Sequence, residues 1–232
     1  MAGLSGPERA AASGRADSLV ILLHGYGADG NDLIGLAEPL APHLPNTRFL
    51  APNAPERCAN NPAGYQWFPI PWLDGSSEAA SAVAAGQAFA MLDGWLDAVA
   101  EQGVSAARTV LVGFSQGTMM ALQAGLRRHE RLGGIVGFSG RLLRPAQLAA
   151  EIVTRPPVLL VHGDEDAMVP VESLAEAEAA LVAAGVETRT HVSRGVGHGI
   201  APDGLRLALE FVQERLGGAA ADRPGTNPAR TG

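Results

Sequence analysis

Residues 110 to 122 read VLVGFSQGTMMAL, and the parsing of this stretch decides the fold. A β-branched apolar run ends at Phe114, glycines stand two positions either side of Ser115, and a Met- and Ala-rich segment with helical spacing follows. Gly113, Ser115 and Gly117 therefore form G-x-S-x-G directly after a predicted strand and directly before a predicted helix. In that setting the turn is so tight that only small residues fit beside it, and the serine side chain is held exposed as a nucleophile. The N-terminal amides of the following helix point at the same place, where a developing negative charge would be stabilised.

Outward from this turn, short Val/Ile/Leu runs alternate with longer Ala-rich segments, the pattern of a mostly parallel sheet covered by helices on both faces. The predicted strands are LVILLH (19–24), TRFLAP (47–52), TVLVGF (109–114), GIVGFS (134–139), PVLLVH (157–162) and ETRTHV (187–192). Helices are expected over about 32–43, 78–101, 117–128, 145–153, 171–184 and 203–216. In the longest of them Val83, Phe89, Leu92, Leu96 and Val99 fall on one helical face, which reads as a core-facing stripe. The fold class is α/β, of the α/β-hydrolase kind.

A serine hydroxyl is a weak nucleophile until a base removes its proton, and a histidine base needs an acid to hold its tautomer. In an α/β-hydrolase the three follow in the order Ser, acid, His. After PVLLVH comes GDEDAMVP, which offers Asp164, Glu165 and Asp166 at the carboxyl end of a strand. Spacing alone does not choose among the three. GVGHGI then places His198 between glycines, on a loop before the last helix. The other five histidines have structural or surface readings: His43 and His129 near helix ends, His162 and His191 on strands, and His24 as a brace for the glycine loop beside it. Acidic residues packed at adjacent loop positions rarely converge on one ion, so no metal is expected beside His162.

The segment HGYGADG (24–30) also fits G-x-G-x-x-G behind a strand, the shape of a dinucleotide loop. That reading requires an acidic residue at the end of the next strand, where this chain has APNAP, and Asp29 would repel a pyrophosphate. As a loop after an early strand it suits an oxyanion site instead, with the backbone amides of Tyr26 and Gln116 as the donors. No cofactor is called for.

Between the second strand and the long helix lies NAPERCANNPAGYQWFPIPWLDGSSE (53–78), rich in Pro, Gly and Asn. A connection that long is uncommon in a compact domain unless it is functional or disordered, and its aromatics argue for order. The aromatic loop, at about 55–77, is expected to line a substrate pocket with Trp67, Phe68 and Trp72.

Composition narrows the class further. The chain has 232 residues, 47% hydrophobic and 18% charged, enough for one large domain with a full core. A formal net charge of −7 without clustered basic residues excludes a phosphate-backbone partner, so no nucleic acid is expected. The single cysteine, Cys58, permits no internal disulfide and reads as incidental. The first residues lack the apolar core of a signal peptide, and no run approaches a membrane span, so the expectation is a cytoplasmic protein without stable membrane insertion. Residues 1–17 and 217–232 are expected to be flexible, flanking a single domain at 18–216.

With these residues in place, the chain resembles the phospholipase/carboxylesterase family of α/β-hydrolases, which includes bacterial carboxylesterases and acyl-protein thioesterases. The resemblance runs from about Ser18 to Leu216 and rests on four motifs in order: LHGYGADGNDLIGLA, GFSQGTMMAL, HGDEDAMVP and GVGHGI. It implies Ser115 as nucleophile and His198 as base, selects Asp166 as the acid, and matches Tyr26 and Gln116 to the oxyanion positions. It further implies hydrolysis of small-molecule carboxylic esters of small to medium acyl chains, with lysophospholipase or acyl-protein thioesterase activity as the alternative, and a homodimer. A binding protein on a hydrolase scaffold is the non-enzymatic alternative. Two departures stand out: Thr118 where the family elbow often has a second glycine, and Pro69 where an acidic residue is expected.

Overall fold

The computed structural model describes residues 3–217. Its main sheet has seven strands, β1 (Glu8–Arg9), β2 (Ser18–Leu23), β3 (Thr47–Leu50), β6 (Thr109–Phe114), β7 (Gly134–Phe138), β8 (Val158–Gly163) and β9 (Thr188–Ser193), and a separate pair is formed by β4 (Glu56–Arg57) and β5 (Tyr65–Gln66). Across the main sheet the order is β1-β3-β2-β6-β7-β8-β9, with every pairing parallel except that of β1 with β3. This is the α/β-hydrolase type of fold expected above.

The helices are α1 (Gly30–Ile34), α2 (Ala37–Leu40), α3 (Pro71–Asp74), α4 (Glu78–Ala100), α5 (Gln116–Gly125), α6 (Leu148–Glu151), α7 (Glu172–Ala183) and α8 (Pro202–Gly217). Side chains alternate across the strands, so β2 sends Leu19, Ile21 and Leu23 to one core and Val20 and Leu22 to the other. The first core packs the sheet on α4, α5 and α7 through residues such as Leu92, Leu122 and Leu181; the second packs it on α1, α2 and α8 through Leu33, Leu40 and Phe211. Burial on both faces is why these strands read as unbroken apolar runs.

Several expected elements differ. The helix expected at 32–43 is broken into α1, α2 and a 3-10 turn at Ala41–His43, because Pro39 and Pro42 lack the amide a continuous helix needs. Within the N-terminal segment expected to be flexible, β1 pairs with β3, the Ala51 and Asn53 amides donate to Pro7 O and Ser5 O, and Leu4 and Ala11 are buried. Gly217, expected in the tail, ends α8; the rest of the tail lies outside the described residues. In α4 the predicted stripe reaches the core except at its start: Leu92, Leu96 and Val99 are buried and Phe89 packs against the core, while Val83 is 63% exposed. The first half of α4 also walls a cavity, through Ser81, Ala82, Ala85 and Gly86.

The strand order positions the site. From β2 the chain passes to β3 on one side, whereas β6 lies on the other, so the loops leaving the carboxyl ends of β2 and β6 diverge. A crevice opens at such a switch point, and ligands of open α/β sheets bind there.

Candidate active site

Ser115 occupies the turn between β6 and α5 with φ 53° and ψ −115°, a conformation that side-chain-bearing residues rarely adopt. Close packing enforces it. A Cβ on Gly113 would stand 2.4 Å from the Gly117 backbone, and one on Gly117 would stand 1.8 Å from Leu23 O. Glycine at both positions lets the turn press against β2, as the G-x-S-x-G reading requires. The Ser115 amide donates to Phe138 O at 2.9 Å, tying the turn to β7. Thr118 makes use of its departure from the family pattern: its hydroxyl lies 2.8 Å from Gly113 O and 2.9 Å from Phe138 O, linking helix to sheet.

Asp166 follows β8 and is 9% exposed. Its Oδ1 accepts from the amides of Met168 (2.8 Å) and Val169 (2.9 Å), and its Oδ2 lies 2.8 Å from His198 Nδ1. Burial pushes this carboxyl up, yet the Val169 amide, the His198 imidazole and the Met168 amide outweigh it and hold Asp166 below the ordinary carboxylate range. Asp166 is therefore the anion facing His198. Its neighbour Asp164 is turned elsewhere, accepting from the Gly195 amide at 2.7 Å and so shaping the histidine loop. The His198 ring packs 5.0 Å from Phe114, and both His198 and Ser115 border one cavity. Ser115 and His198 share no hydrogen bond among the described residues; in such sites that contact often tightens only around a bound substrate.

Two histidines that looked merely structural have definite parts in this arrangement. His162, buried on β8, bonds Val169 O through Nε2 at 2.9 Å and lies 3.3 Å from Asp166 Oδ2, so it braces the acid loop. His24, also buried, accepts the Ala54 amide at Nε2 (2.9 Å), which leaves Nδ1 as the donor to Gly25 O at 2.8 Å. Burial holds its pKa below the ordinary histidine value, so the ring is neutral. The expectation that His24 braces the glycine loop agrees with these bonds.

Gly27 N donates to Tyr65 O and Ala28 N to Gly25 O, whereas the amides of Tyr26 and Gln116 make no hydrogen bond among the described residues. Gly25, Tyr26 and Ser115 all line the cavity. The Tyr26 phenol bonds Asp74 Oδ2 at 3.3 Å. Burial, with Cys58 and Asp74 adding to it, raises the Tyr26 pKa well above its usual value, so the group is a neutral hydroxyl.

The three aromatics expected to line the pocket part company. Phe68 and Trp72 border the cavity, Trp72 at 64% exposure. Trp67 does not: it is wholly buried, its Nε1 donates to His24 O at 2.9 Å, and its ring lies 5.6 Å from the His24 ring. A loop gives no periodicity by which to tell a wall residue from a core residue. Between them stands Gln116, 0% exposed, whose Oε1 accepts the Trp67 amide and whose Nε2 donates to Phe68 O, both at 2.8 Å.

The cavity itself has a volume of about 860 Å³. That falls within the range of small-molecule sites, roughly 300–1,000 Å³. Its apolar wall includes Phe68, Ile70, Trp72, Phe89 and Met119.

The family model described as Phospholipase/Carboxylesterase matches residues 6–216. Among curated proteins the chain is similar to esterase YpfH of Escherichia coli strain K12, at 27% identity covering 85% of this chain and 83% of that protein. It is likewise similar to acyl-protein thioesterase 1 of Eremothecium gossypii, at 31% identity covering 90% and 91% respectively. Among solved structures, esterase PE8 superposes with a TM-score of 0.87 at 49% identity, covering 93% of this chain and all of that one.

Proposed function

The chain belongs to the phospholipase/carboxylesterase family of α/β-hydrolases and is a hydrolase, and from that premise we propose that it is a serine carboxylesterase of small- to medium-chain esters. One observation carries the reading: Ser115, on its strained turn, and His198, bonded to Asp166, face a single cavity. No helix among the described residues is long and apolar enough to cross a membrane. The reaction needs no cofactor, and we place it in the cytoplasm.

In this mechanism Ser115 Oγ attacks the ester carbonyl as His198 Nε2 takes its proton, while Nδ1–H stays on Asp166, which holds the tautomer and stabilises the imidazolium. The amides of Tyr26 and Gln116 receive the oxyanion. His198 then gives its proton to the departing alcohol, leaving acyl-Ser115. Water, deprotonated by His198, attacks that acyl group and frees the acid.

A thioesterase reading is favoured by the similarity to acyl-protein thioesterases and by the apolar cavity wall, which suits an acyl chain. Turnover of p-nitrophenyl esters from acetate to palmitate separates the two. A peak at short chains supports the carboxylesterase; a peak at long chains moves the assignment to lipid or acyl-protein substrates. Ser115→Ala is expected to lower kcat by several orders of magnitude and Asp166→Asn by about 10³–10⁴-fold, with Asp164→Asn far milder. Near-normal turnover by purified S115A would refute the proposal.

A further inference from the structure

The loop after β7, from Ser139 to Arg144, reads SGRLLR and contributes Arg141, Leu143 and Arg144 to the cavity. The chain has no lysine, so its permanently charged side-chain cations are all arginines. Most of those among the described residues are neutralised by carboxylates, as Arg127 is by Glu151 and Arg128 by Asp93 and Asp97. Arg141 and Arg144, like Arg9 and Arg15, have no ion pair or side-chain hydrogen bond among the described residues, but these two are exposed at the cavity, with Arg144 in electrostatic reach of Glu151. In a chain of net charge −7, two unpaired guanidiniums on one cavity wall are a local reversal of sign.

Their loop is held in place. Ser139 and Arg144 bracket it at φ 47° and φ 49°, a region non-glycine residues enter when surrounding contacts over-determine it. The Ser139 amide donates to Val161 O at 2.9 Å, its hydroxyl donates to Gly199 O at 3.3 Å, and Leu142 is buried between the two arginines. The guanidiniums thus project from a fixed backbone, which lowers the entropy lost when they grip a ligand.

We infer that Arg141 and Arg144 form an anion-recognising edge of the cavity, and that the preferred esters carry a free carboxylate away from the bond that is cleaved. A guanidinium fork matches a carboxylate in geometry and charge. Glu78 lines the same cavity, and its negative charge weighs against a dianion such as a phosphate monoester. The substrates are then half-esters of dicarboxylic acids. This rests on the serine-esterase reading for the chemistry, but not for the binding.

The test uses monoethyl esters of the four- to eight-carbon linear dicarboxylic acids against their neutral diethyl esters. The ratio of kcat/KM between half-ester and diester is measured for wild type, Arg141→Gln and Arg144→Asn, asparagine being chosen because it tolerates the left-handed backbone. Each variant is expected to lower that ratio about 3- to 10-fold, and salt at about 0.5 M to shrink the wild-type preference. Calorimetric binding of the same esters to Ser115→Ala protein gives a readout independent of turnover. There, half-esters should bind more tightly than diesters, and the added arginine substitutions should remove the difference. Serine-dependent hydrolysis with an unchanged ratio overturns this inference and leaves the esterase standing; absent hydrolysis overturns the esterase, while S115A binding still decides the anion site. Tighter binding of alkyl phosphates than of matched carboxylates would overturn the carboxylate assignment.

Discussion

The side-chain amide of Gln116 holds the backbone of Trp67, the Trp67 N–H donating to Oε1 at 2.8 Å while Nε2 donates to Phe68 O at the same distance. One residue thus offers two groups on separate atoms, a backbone amide with no hydrogen-bond partner among the described residues and a carboxamide that fastens the aromatic loop to the turn at Ser115. Gln116→Ala keeps the first and removes the second, stranding a buried donor and a buried acceptor at about 1–3 kcal/mol each. Urea denaturation should show a loss of about 2–4 kcal/mol, with kcat falling as the loop loosens. A stability unchanged within about 0.5 kcal/mol would mean that water or a shifted loop replaces both bonds.

Trp67 and Trp72 sit five residues apart and should respond in opposite ways. Removing the Trp67 ring empties a fully buried site, and Trp67→Ala should lower stability by about 3–5 kcal/mol. Trp72→Ala should alter stability by no more than about 0.5 kcal/mol, because the ring is 64% exposed, yet shift the acyl-length profile because that ring borders the cavity. Melting curves and the p-nitrophenyl series together check both halves; an unshifted profile in W72A would remove Trp72 from substrate binding.

Acid should loosen the junction of β9 with α8. Asp203 accepts from His191 Nε2 at 2.6 Å and from the Ser193 hydroxyl at 3.0 Å. The His191 bond, foremost, with the Gly204 amide and Ser193 adding to it, holds Asp203 below its ordinary value. A depressed carboxylate stabilises the fold at pH values above its unfolded pKa of about 3.9, and that contribution is lost as pH falls through the lower folded value. The stability gap between wild type and Asp203→Asn should therefore narrow below about pH 4 in denaturant titrations. A gap independent of pH down to acid unfolding would show that the carboxylate charge contributes nothing.

Much of this was legible in the sequence because the governing physics is local. Apolar runs buried on both faces mark β2, β6, β7 and β8, and two glycines around Ser115 mark a turn where a Cβ would collide. The Ser, acid, His order likewise survives translation into space, since each residue leaves the carboxyl end of a strand. What stayed hidden depends on partners distant in sequence. Nothing in GPER announces that Glu8 and Arg9 add a strand beside Phe49 and Leu50. Nothing within QWFP separates Trp67 from Phe68, because the distinction is made by His24 and Gln116. His162 looked like the end of a strand, and its bracing of the acid loop emerges only where Val169 folds back over it.

The backbone at Ser115 leaves one further consequence. Glycine would adopt φ 53° with little penalty, whereas serine there carries roughly 1–3 kcal/mol of unfavourable conformation. The residue on which the proposed chemistry turns is thus one that stability alone would discard. Selection for a sturdier chain would drift this position toward glycine, and only the need for a hydroxyl opposes that drift.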